Sequence, residues 1–126
     1  MKPYIILLIS ILMILLLNMW QVNYLKNTSK YLLADIVDIK NSTKRKDTKD
    51  LLEGIDALES TWNNVKDVWD ILGEHDDIEK ISEHIQSMRV YATYEDIEEL
   101  VNEYTLLETL IHHVIESEMF SFSNVL

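Results

Sequence analysis

Between Pro3 and Leu25 the chain carries no charged side chain, and from Tyr4 to Leu17 every residue except Ser10 is apolar. A helix rises about 1.5 Å per residue, so the roughly twenty residues from Pro3 to Val22 match a hydrocarbon layer of about 30 Å. Trp20 and Tyr24 stand at the far end, where amphipathic aromatic rings favour the headgroup region, and Lys26 follows as a charged flank. The rival reading is a cleaved secretory signal, since a lysine followed by an apolar run of about fourteen has that size as well. The exit, Leu17-Asn18-Met19-Trp20-Gln21-Val22, offers no small-x-small peptidase site. Residues 1–25 therefore read as an uncleaved transmembrane signal anchor, and residues 26–126 as the domain it holds.

Orientation is less constrained by charge. Lys2 lies on one side of the span, Lys26 and Lys30 on the other, and the comparison is nearly balanced. The brief lead before the span favours an amino terminus inside, which places the bulk of the chain outside the cytoplasm at a single-pass position in the cell membrane.

Apolar residues recur at alternating three and four spacing through the rest of the chain, the period of one helix face. The first stripe is Val22, Leu25, Ser29, Leu32, Ile36, Ile39, which carries the spanning helix on to about Asn41. The second is Leu51, Ile55, Leu58, Trp62, Val65, Trp69, Leu72, with Asp47 or Thr48 as N-cap and Gly73 as a left-handed stop. Corner Glu74-His75-Asp76-Asp77 leads to a short third stripe, Ile78, Ile81, Ile85, Met88, with Asp76 and Glu79 as a capping box. Thr93 and Asp96 form a second capping pair before Ile97, Leu100, Tyr104, Leu107, Ile111, Val114, and a tail begins at Ser117. Only two glycines and one proline occur, too little turn chemistry for a sandwich or barrel. The fold class is all-α: a transmembrane helix continuing into an antiparallel up-down four-helix bundle, because short corners force neighbours to run antiparallel. Trp62 and Trp69, seven apart on one face, are expected in the core or at a partner rim, with their indole N–H groups needing acceptors.

Charge is unevenly spread. Residues 1–50 hold eight basic and four acidic side chains, residues 51–126 three and eighteen, for a net charge of −11. So acidic a surface repels phosphate backbones, which excludes nucleic acid as a partner. There is no cysteine, so disulfides, thiolate metal sites and a lipidated cysteine are excluded.

Trp62 and Trp69, the run Asp70-Ile71-Leu72-Gly73-Glu74-His75, Ile78, Ile81, Tyr91, and the endings His113-Val114-Ile115-Glu116 and Ser123-Asn124-Val125-Leu126 form a recognisable pattern. The chain resembles an uncharacterised family of short, N-terminally membrane-anchored proteins of Firmicutes, described as a domain of unknown function. The resemblance implies an anchor, a helical domain and a bacterial origin, and no mechanism.

Candidate chemistry is sparse. If the second helix returns to the membrane, the His75 corner and the end of the fourth helix share the proximal end. His75, Asp76, His112, His113 and Glu116 are then the candidate set for a divalent metal, imidazole and carboxylate together suiting zinc. The bland alternative is stronger: His75 as a corner cap, His113 as a favourable charge at a helix C-terminus, His112 and His84 facing solvent. Phe120 and Phe122 make the tail apolar, and they are expected to cap the open end of the bundle in preference to dipping into the membrane interface. No phosphate loop, nucleophile elbow or metalloprotease helix is present, so neither catalysis nor a cofactor is expected. Three roles remain: an anchored interaction module docking a partner membrane protein, a ligand- or metal-sensing bundle acting through such a partner, or a spacer holding its basic corner, Lys40 to Lys49, away from the bilayer.

Overall fold

The computed structural model describes residues 2–125, with side chains through Phe120. The described residues form four helices and no strand: α1 (Lys2–Arg45), α2 (Thr48–Leu72), α3 (His75–Thr93) and α4 (Ile97–Val125). α1 packs on α2 and α4, and α3 closes the ring by packing on the same two, so the topology is the up-down-up-down bundle expected from the stripes. α1 runs unbroken from the apolar segment into the bundle, and its first fully buried side chain is Leu25. The core therefore begins where the uncharged run ends.

Each stripe turns inward. Leu32, Ile36, Ile55, Leu58, Ile81, Ile85, Leu100, Leu107 and Ile111 are among its fully enclosed members. The two tryptophans fill the middle, ring centroids 5.5 Å apart and edge to face at 84°. Each indole N–H has found a hydroxyl on a neighbouring helix: Trp62 Nε1 donates to Ser82 Oγ on α3 and Trp69 Nε1 to Thr28 Oγ1 on α1, both at 2.8 Å. Core burial and hydrogen bonding thus coincide at one layer that joins three helices. Gly54 sits at a close approach of α1 and α2, since a Cβ there would lie 3.1 Å from Ile39 Cγ1.

The corners depart from expectation. Gly73 is extended (φ −109°, ψ −168°), not left-handed, and its N–H donates to Trp69 O at 2.7 Å. The left-handed residues are Lys46 (φ 57°) and Glu95 (φ 58°), at the two corners of the opposite end. Both close their helices in the same way. Lys46 N donates to Thr43 O and Asp47 N to Ser42 O, while Glu95 N donates to Ala92 O and Asp96 N to Tyr91 O, the paired bonds of a Schellman stop. The aspartate that follows each stop then caps the next helix: Asp47 Oδ1 accepts from Asp50 N, as expected, and Asp96 Oδ1 from Glu99 N. Thr93 takes no part in that cap, because its hydroxyl donates to Arg89 O inside α3. Nor does an Asp76–Glu79 box form, since α3 starts two residues earlier than that box requires, at His75 behind Glu74.

A side chain at positive φ costs about 1 kcal/mol relative to glycine. Lys46→Gly is accordingly expected to raise stability by about that amount in urea melts, whereas Glu95→Gly gains less because it forfeits the bond from Thr48 Oγ1.

The segment from Ser117 is not a tail. α4 continues as helix through Val125. Phe120 is 68% exposed, so it does not cap the bundle, and the Phe122 side chain lies outside the described residues.

Candidate functional site

The proximal end of the bundle is organised by Gln21. Its amide Nε2 donates to Leu72 O at the end of α2 (3.2 Å) and to Glu118 Oε2 on α4 (2.6 Å), so one side chain at the exit of the apolar run ties down two other helices. Partial burial, the bond from Gln21 and the charge of Glu74 act on the Glu118 carboxyl. Burial dominates and pushes its pKa up. A carboxyl raised in the folded state holds its proton there at pH values where the unfolded chain has lost it. This group's contribution to stability is therefore greatest below the unfolded value of about 4.5 and is lost as pH rises through the folded value. Glu118→Gln, which keeps an acceptor for Gln21, is expected to flatten that decline, as read by urea midpoints taken across the acid range.

The histidine candidates do not converge. His75 Nδ1 lies 2.7 Å from Asp70 Oδ1, and this hydrogen bond, with the charges of Asp70, Glu79 and Asp76, raises its pKa. His113 is mid-helix, not at a C-terminus, and its Nε2 is 3.8 Å from Asp77 Oδ2 on α3. His112 and Glu116 face solvent, as does Asp76. Among the described residues no three His, Asp or Glu side chains are grouped to hold a metal ion, so His75, Asp76, His112, His113 and Glu116 are not one donor set.

Sequence reasoning missed the polar groups that link helices. His84, expected in solvent, is half-buried with Nδ1 2.6 Å from Glu103 Oε2, joining α3 to α4. Arg89 on α3 reaches Asp56 and Glu59 on α2 at 2.7 and 2.9 Å, relieving the repulsion of two carboxylates one turn apart. Lys40 pairs with Glu108 and lies over the Tyr104 ring, and Thr61 donates to Asp35. These pairs were legible only as opposite charges at compatible heights, with no signal for which face each would occupy. Among the described residues no buried polar side-chain atom is left without a partner.

At the far end, Ser42, Lys46, Thr48, Leu51, Ala92 and Glu95 line a cleft of about 460 Å³ between the two corners. Its floor is apolar and its rim carries one cation, Lys46, and two carboxylates, Asp47 and Glu95, an arrangement without convergent donors for a particular ligand.

α1 is the one described helix long and apolar enough to cross a membrane, and no residue of its apolar window is fully buried by the rest of the fold. The model of a family described as a domain of unknown function (DUF4363) matches residues 19–125. No curated protein and no solved structure matches the chain.

Proposed function

The chain belongs to the DUF4363 family, whose description assigns no activity, and we propose that it is a membrane-tethered interaction module: one N-terminal span carrying a rigid acidic bundle that docks a partner membrane protein. One observation carries the reading. A single helix serves both as the apolar segment and as a wall of the core, so it fixes the height and direction of the bundle above the lipid. Solubility alone gains nothing from that continuity. Presentation of a face to a neighbour in the same membrane does, because confinement raises the effective concentration of the two surfaces.

The partner's contact surface is basic in this reading, since residues 51–126 hold eighteen acidic and three basic side chains. In this reading the module does no catalysis, and the pairs of His75 with Asp70 and of His84 with Glu103 serve as contacts between helices. The bundle stands outside the cytoplasm, so protease added to intact protoplasts should remove it. Its survival would place it on the inner face.

Photo-cross-linkers at Val90 and Val101, both exposed, are expected to recover the same integral membrane protein from intact membranes. The yield should fall at high salt, where a Debye length of about 10 Å shrinks to about 3 Å. Recovery of no recurrent partner, or a salt-independent yield, removes the docking role and leaves a spacer for the Lys40 to Lys49 corner.

A further inference from the structure

Three observations at the proximal end point the same way. The first is height. Gln21 sits at the end of the roughly twenty-residue span, and its two hydrogen bonds put Leu72 O and Glu118 at its own level. From Glu118 the α4 helix runs seven residues further, to Val125, antiparallel to α1. At about 1.5 Å per residue those turns descend about 10 Å alongside the apolar segment, to the neighbourhood of Ile14.

The second is burial within the span itself. From Tyr4 to Trp20 every residue is exposed except Leu15 and Asn18, which are half-buried. They fall on the line that continues upward through Val22 to Leu25, the core face of α1. The core face of α1 therefore stays partly shielded below the level of Gln21.

The third is the apolar surface left uncovered around that level. Ile71, beside the Gln21-bonded Leu72, is 81% exposed, and on α4 Phe120 is exposed with Met119 next to it. On a freely soluble bundle such side chains would face water without compensation. Here the unbroken α1 leaves no linker by which the base could stand clear of the bilayer.

We propose that the base of the bundle is a second membrane contact, in which Ile71 on α2 and Met119 and Phe120 on α4 sit in the interface of a lipid bilayer beside the span. The inference rests on the membrane-anchored reading and adds a lipid-binding surface to it. The occupant is lipid, not protein, because the same helix that crosses the bilayer sets the height of these residues, and amphipathic segments at that depth bury their apolar face among headgroups and upper acyl chains. Carboxylates at Glu74, Asp76, Asp77 and Glu116 surround the corner, so a zwitterionic surface is the appropriate probe.

The absence of cysteine makes single-site labelling direct. Spin labels on Leu8→Cys, Ile71→Cys, Phe120→Cys and Tyr94→Cys in the full chain, reconstituted in phosphatidylcholine vesicles, report collisions with oxygen, which concentrates in lipid, and with a nickel chelate, which stays in water. All four positions are exposed, so the core is untouched, and unchanged helical circular dichroism verifies this. Oxygen-to-nickel ratios at 71 and 120 are expected between those at 8 and 94 and clearly above that at 94, which lies at the far corner and behaves as water. Ratios at 71 and 120 that match 94 overturn the proposal, as does shielding from both reagents, which means a protein or a second copy covers the base. A water-like ratio at 8 overturns the anchored reading itself, which separates the two failures.

Discussion

Trp69→Ala is expected to lower the unfolding free energy by about 4 kcal/mol, within the usual range for emptying a large aromatic site in a core. The side chain is fully enclosed, meets Trp62 edge to face, and donates to Thr28 on α1, so its loss opens a void at the layer where α1, α2 and α3 meet. Trp69→Phe keeps most of the apolar volume and forfeits the hydrogen bond, and a loss of about 1 kcal/mol is expected for it. Urea unfolding of the detergent-solubilised chain, followed by near-ultraviolet circular dichroism, measures both. A Trp69→Ala loss below that of Trp69→Phe would show that the ring is not a structural member, and the tryptophan pair would then have to be reassigned to a partner surface.

The second large effect concerns the span. Leu8→Arg together with Leu12→Arg places two guanidinium groups in the apolar run, at about 3 kcal/mol each on insertion scales and so about 6 kcal/mol in all. Both residues are exposed and lie well before Leu25, where the core begins, so the bundle should keep its fold. The expected outcome is a protein that leaves the membrane pellet in carbonate buffer yet shows unchanged helical circular dichroism. Resistance to carbonate in the double variant would mean that other residues hold the protein in the membrane.

The fold was legible because the period of the apolar residues survives in every helix. Leu25, Ile36, Ile55, Leu58, Trp62, Trp69, Ile81, Ile85, Leu100 and Ile111 lie on the stripes and in the core alike. What the sequence misled on was local. Glycine is the usual left-handed stop, yet Gly73 is extended, while Lys46 and Glu95 adopt the strained conformation because the aspartate after each caps the next helix at once. The apolar end of the chain reads as a tail because serine and asparagine interrupt it, yet α4 continues as helix through Val125 despite their weak helix propensity.

The metal set failed for a different reason. Topology placed His75 and His113 at one end of the bundle, but the azimuth of each side chain depends on packing, and each was captured by a carboxylate of its own, Asp70 and Asp77. Gln21 and Glu118 stand 97 positions apart and have no motif to connect them, so only the structure makes them one contact.

The absence of a hinge in α1 makes the molecule a lever. From Gln21 to Arg45 the stalk extends about 36 Å, and a change of about 10° in its tilt swings the outer corners by about 6 Å. Transmembrane helices tilt to match the thickness of the surrounding bilayer. In the membrane-tethered reading proposed above, a thinner or thicker membrane moves the outer corners sideways along an arc, and any neighbour gripping the bundle feels that displacement as a pull.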